Sequence, residues 1–279
     1  MRAAAAIFVS LLGLVVAAGA SAETPPDWKQ EPWKTCRRTM TVDAIAACTT
    51  IIDDGSAIPP KNRAYAYSMR GEAYRSLGKP GHAMQDLDEA LRIDPEQAYG
   101  HAIRGYLLME LGQNDRSLRD FNHALSLNPD FPFVLVGRSR LFFKQGEFAR
   151  SIHDADAVLR IDAQSPRGYV RRCWGRVAID ELEAAIADCT ESLRLRPGFI
   201  AALNGRGTAY LKLGETDKAA ADYDASIRIR AKAPFALYGR GVARRKSGDR
   251  EGGEADIAQA RQLLPDIEER FKHPWQLDQ

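Results

Sequence analysis

An excess of charge of either sign is missing from this chain: 39 basic residues stand against 37 acidic ones over 279 residues. So even a balance gives no support to general nucleic-acid binding, which shows itself as a basic surplus. Histidine is scarce, and His82, His101, His123, His153 and His273 have no metal-ligand spacing. The four cysteines include no Cys-x-x-Cys, so no zinc site is expected. There is no Gly-x-Ser-x-Gly elbow, no phosphate loop and no dinucleotide glycine fingerprint. Gly-Arg-Gly at 205–207 and 239–241 imitates a glycine-rich loop but falls inside expected helices. Without a visible nucleophile or acid–base set the chain reads as non-enzymatic, with neither cofactor nor metal. Apolar runs long enough to cross a bilayer are missing too, once the first twenty residues are passed.

Those first residues read as an export signal over 1–22. Arg2 precedes an apolar run from Ala3 to Ala20, then a small-x-small site, Ala20-Ser21-Ala22, and the chain turns polar at Glu23. Cleavage after Ala22 would deliver a periplasmic or secreted protein that does not span a membrane. The run approaches spanning length, so retention as an anchor stays open.

What the sequence does have is a period. Segments written under one another every 34 residues align without a gap from Ala64 to Ile267, giving units at 64–97, 98–131, 132–165, 166–199, 200–233 and 234–267. Numbering each unit from 1, position 8 is Gly71, Gly105, Ser139, Cys173, Gly207 and Gly241, and positions 20 and 27 are also small. Small residues in these columns let two helices cross closely. Position 15 is Gly78, Gly112, Gly146, Gly214 and Gly248, with Asp180 the exception; a glycine there ends the first helix in a left-handed turn. Position 32 carries Pro95, Pro129, Pro197 and Pro265, which stop the second helix. Larger residues such as Tyr67, Tyr74 and Leu87 complete two amphipathic helices per unit.

The chain therefore resembles the tetratricopeptide repeat family, whose pattern of large residue, Gly, Tyr, Ala and Pro stands in residues 67–95 and 203–229. The resemblance implies an all-α, right-handed superhelical solenoid of helix–turn–helix units. It implies little about function, because the family scaffolds many unrelated tasks. Position 4 is never Trp, repeat three has Ala163 in place of its proline, and repeat four has Arg176 where Tyr is usual. Residues 23–63 read as an N-terminal arm with Trp28 and Trp33 and a degenerate leading repeat, its second helix at Asp43–Asp53. Residues 268–279 read as a capping tail, with Phe271 expected to pack on repeat six.

Two columns are uniform beyond the family pattern. Position 7 is Arg70, Arg104, Arg138, Arg172, Arg206 and Arg240, and position 23 is Asp86, Asp120, Asp154, Asp188, Asp222 and Asp256. They read as structural pairs bridging helices, within a repeat or between neighbours. Cys173 and Cys189 occupy positions 8 and 24 of one repeat, and Cys36 and Cys48 bracket the leading unit. Of three possible connectivities, proximity selects Cys36–Cys48 and Cys173–Cys189, in keeping with an oxidising compartment.

By family resemblance, positions 2, 5, 9, 12 and 13 face the inner groove. They collect Tyr65, Tyr99, Tyr106, Phe133, Phe143, Trp174, Phe235 and Tyr238, with Arg75, Arg140, Lys144, Arg167, Lys212, Arg245 and Lys246 against only Glu72 and Glu110. The chaperone-tail carboxylate clamp is not reproduced. Tyr106, Arg140, Phe143, Lys144, Trp174, Lys212, Tyr238 and Arg245 are the candidate groove residues. The function expected is a non-catalytic scaffold holding an extended protein or peptide segment, acidic in character, in a cell-envelope complex. A sugar-binding accessory of envelope polysaccharide assembly and a self-assembling structural subunit, a homo-oligomer, are the alternatives.

Overall fold

A computed structural model describes residues 30–38, 41–54 and 58–272. The leader at 1–22, Trp28, His273 and the last residues lie outside the described part. Among the described residues there are helices and no strands. A short α1 (Trp33–Cys36) and α2 (Val42–Asp53) lead six pairs: α3 (Pro60–Ser76) with α4 (Pro80–Ile93), α5 (Ala98–Glu110) with α6 (Asn114–Leu127), and α7 (Pro132–Lys144) with α8 (Phe148–Ile161). The same order continues through α9 (Pro166–Ala178) with α10 (Leu182–Leu195), α11 (Ile200–Leu213) with α12 (Thr216–Ile229), and α13 (Pro234–Ser247) with α14 (Arg250–Leu263). The last element is α15 (Ile267–Lys272).

Local chemistry sets these boundaries. Proline stands in the first turn of α3, α4, α7, α9 and α13, where its missing N–H has no intrahelical partner to lose. The five position-15 glycines have φ between 68° and 104°, and Asp180 takes the same left-handed conformation at φ 61°. At position 8 the two helices of a pair cross so closely that a Cβ on Gly105 would lie 2.8 Å from the Phe121 ring. Repeat four puts cysteines at both ends of that contact. Cys173 and Cys189 are bonded with Cα atoms 5.6 Å apart, and Cys36 and Cys48 with Cα atoms 4.8 Å apart.

First helices of successive repeats pack on one another, α3 on α5 and so on to α11 on α13, whereas second helices do not pack on each other in this way. The stack is therefore tighter along its first helices, and that side is the concave one. The ends are covered. Trp33 packs against the buried cluster of Cys36, Cys48, Ile51, Ile52, Ala66 and Met69, and Phe271 lies 4.7 Å from the Phe235 ring and 5.0 Å from Tyr238.

The arginine and aspartate columns pair within repeats. In all six, Nε and Nη2 of the arginine donate to the two carboxylate oxygens of its own repeat's aspartate at 2.6–2.9 Å. The fork geometry matches a carboxylate. The remaining nitrogen, Nη1, reaches back to position 25 of the preceding unit: Thr49, Asp88, Asn122, Asp156, Thr190 and Asp224. Each guanidinium thus ties two helices of one repeat to the second helix of the one before. The aspartates are buried, Asp154 to 2 % exposure. Burial pushes the Asp120 carboxyl up, but hydrogen bonds from His101 and Arg104 outweigh it and hold the group below the ordinary carboxylate value.

Candidate functional site

The concave face is built from the exposed turns of α3, α5, α7, α9, α11 and α13. Two of its aromatics, Tyr106 and Trp174, are anchored to the next repeat by their polar tips. The Tyr106 hydroxyl donates to the Phe133 carbonyl at 2.6 Å, and Trp174 Nε1 donates to the Ala201 carbonyl at 3.0 Å. Both bonds run from position 9 to position 2 of the following unit, so these rings close inter-repeat seams. Tyr99 donates to Glu72 in the first seam and stacks on Tyr65 at 5.1 Å.

Charge is distributed unevenly along this face. In the first two repeats Arg75 pairs with Glu110 at 2.5 Å and stands 3.9 Å from Glu72. From repeat three onward the groove columns carry Arg140, Lys144, Arg167, Lys212, Arg245 and Lys246 and no acid. Burial raises the Tyr106 phenol to about 12, against the positive charges of Arg167, Arg171, Arg140 and Arg75 that gather round it.

A hollow of about 610 Å³ opens toward the end of the concave face where the inter-repeat loops run. Phe143, Trp174 and Phe235 form its floor, Trp174 lying 6.3 Å from Phe143 and 5.8 Å from Phe235 between ring centres. Arg171, Arg196 and Arg230 stand among its lining residues, with Phe199 and Asn204. The Arg196 guanidinium lies 4.5 Å over the Phe199 ring. Asn204 Oδ1 is buried with no hydrogen-bond partner among the described residues.

Of the residues singled out from sequence, Phe143 and Trp174 come together in this hollow, and Tyr106 and Arg140 share the arginine field beside it. The others are placed elsewhere. Lys212 donates to Asp180 at 2.6 Å and to the Val177 carbonyl at 3.1 Å. Tyr238 is half-buried and packs against Phe271. Arg245 pairs with Glu254 at 3.3 Å in a separate hollow with Lys246 and Arg250. Lys144 lies half-buried at the end of α7. Sequence reasoning from groove columns missed Arg171, Arg196 and Arg230, which lie outside those columns, and passed over Asn204, which stands at position 5. A signal for two of them existed at position 31, which runs Asp94, Asn128, Asp162, then Arg196, Arg230 and Leu264.

Fold and site together define an all-helical repeat scaffold whose concave face carries a groove. The chain belongs to the tetratricopeptide repeat family: profiles described as Tetratricopeptide repeat match residues 64–97, 104–166, 176–234 and 204–266. Among solved structures it is similar to PilW, described as a widely conserved type IV pilus biogenesis factor, at 16% identity and TM-score 0.66, covering 74% of this chain and 97% of that one. It is similar to pilF of Pseudomonas aeruginosa at 19% identity and TM-score 0.64, covering 76% and 98%. It also resembles a tetratricopeptide repeat protein from Parabacteroides merdae at 20% identity and TM-score 0.64, covering 83% and 91%. These likenesses are of fold. A comparison with curated proteins finds no match.

Proposed function

We propose that this chain is a non-catalytic scaffold of the periplasm or cell exterior that holds an extended, acidic segment of another protein in its concave groove, as part of a cell-envelope complex. The observation that carries the reading is the pairing of a pre-formed aromatic hollow with the arginines in and beside it, Arg171, Arg196 and Arg230 in its lining and Arg140 and Arg167 near Tyr106. Aromatic rings held by their neighbours give contact area at little entropic cost, and fixed cations steer an acidic partner. Export is supported by the two bonded cysteine pairs, since such bonds persist in oxidising compartments, and by the leader-like residues 1–22.

Pull-down from an envelope extract with wild-type protein and with an Arg140→Glu/Lys144→Glu variant tests the groove. Capture should weaken in the variant and lose most of its salt dependence, because screening acts on exposed charges. A partner held equally well by both proteins at every salt concentration would sink the groove reading.

A further inference from the structure

We propose that the hollow over Phe143, Trp174 and Phe235 is an anchor site for one bulky apolar side chain of an acidic polypeptide, with carboxylates flanking that side chain meeting Arg171, Arg196 and Arg230. The proposal rests on the concave face being a protein-binding groove and specifies which features of a partner that groove reads.

Several observations converge on it. The hollow, about 610 Å³, lies within the roughly 300–1,000 Å³ of pockets that take a ligand. Its floor is set in advance: Phe143, Trp174 and Phe235 are 6–8 % exposed and hold one another edge to face. The indole N–H already serves the Ala201 carbonyl, so the floor asks for an apolar occupant. The lining residues include three arginines and no carboxylate, a local field that an acidic neighbour complements.

The arginines are specific to this end of the array. Position 31 is Asp94, Asn128 and Asp162 in the first three repeats and turns to Arg196 and Arg230 in the two repeats that supply most of the hollow's lining. A charge reversal confined to the cavity's own rim sets that rim apart from the repeat framework. An apolar side chain with carboxylates close by is a combination that a polypeptide segment carries, which makes such a segment the occupant of this apolar floor and cationic rim.

The test is selection of a random 12-residue display library on the immobilised full chain, followed by fluorescence polarisation with the best labelled peptide. Enriched sequences should share a bulky apolar residue with Asp or Glu close by. Two variants then interrogate the site, each checked by its melting curve: Arg196→Glu/Arg230→Glu, both exposed side chains, and Ala201→Leu, which fills the hollow. Each should weaken the peptide by at least about tenfold, and replacing the peptide's acids by Lys should restore binding to the charge-reversed rim. Peptides enriched on wild type that bind both variants as well, or that respond to Ala201→Leu but not to the rim, overturn the anchor site and leave the groove reading standing if Arg140→Glu/Lys144→Glu still weakens them. A selection that enriches nothing overturns both.

Discussion

At position 15, five glycines and one aspartate serve the same turn. A left-handed conformation costs an ordinary L-residue roughly 1 kcal/mol, and Asp less than most because its short side chain bonds locally. Asp180 sits at φ 61° and accepts from Lys212 at 2.6 Å, in a pair whose side chains are 71 % and 41 % exposed. Exposed pairs contribute little. Asp180→Gly should therefore stabilise the protein by about 0.5 kcal/mol, whereas Asp180→Ala, which keeps the strain and loses the acceptor, should destabilise it by about 1 kcal/mol. Urea midpoints at constant slope separate the two. Equal shifts of the same sign would mean that the backbone at Asp180 is not what limits this turn.

Between helices, the unit of organisation is the guanidinium with three corners. Asp154 is 2 % exposed and accepts two hydrogen bonds from Arg138, whose third goes to Asn122. Asp154→Ala leaves that cation partly buried beside apolar neighbours and should cost about 3–5 kcal/mol. Asp154→Ala combined with Arg138→Leu should cost clearly less than the sum, and chemical denaturation of the four proteins in the cycle reads the coupling. Additive losses would show that the two side chains do not act together. Positions 7 and 23 announced this pairing in the sequence because each holds one residue type throughout. Position 25 did not, because Thr49, Asp88, Asn122, Asp156, Thr190 and Asp224 share only an oxygen acceptor, and a column of mixed chemistry looks like any solvent-facing position. Tyr106 and Trp174 were legible as the large aromatics of position 9, but their bonds to Phe133 and Ala201 carbonyls depend on how one repeat meets the next, which a column alignment within the repeat does not hold.

For the molecule as a whole, a stack whose repeats touch only their neighbours has stability that is nearly a sum of local parts. The two disulfides should then act at different reach. Cys173–Cys189 closes a separation of 16 residues in the middle of the array, where loss of such a crosslink removes about 3 kcal/mol; Cys36–Cys48 ties only α1 to α2. Hydrogen exchange on Cys173→Ala/Cys189→Ala should show faster opening of α9 to α12, and on Cys36→Ala/Cys48→Ala faster opening of α1 and α2 alone. Uniform loss of protection in both would argue for a single cooperative unit instead. The period of 34 made the helices and their partners readable from the chain, since each boundary has its own proline or left-handed residue, while the hollow over Trp174 escaped because it is assembled from several repeats. One detail of the guanidinium links gives the array a direction. Every arginine reaches backward, and position 25 offers it an acceptor in each unit that another repeat follows, but in the sixth repeat that place is Ala258. Internal repeats are thus interchangeable parts: excising one 34-residue unit would leave its two neighbours with a matching donor and acceptor. The sixth differs, for a further copy added behind it would arrive with an arginine that still grips its own aspartate but whose Nη1 meets Ala258 and finds no acceptor there.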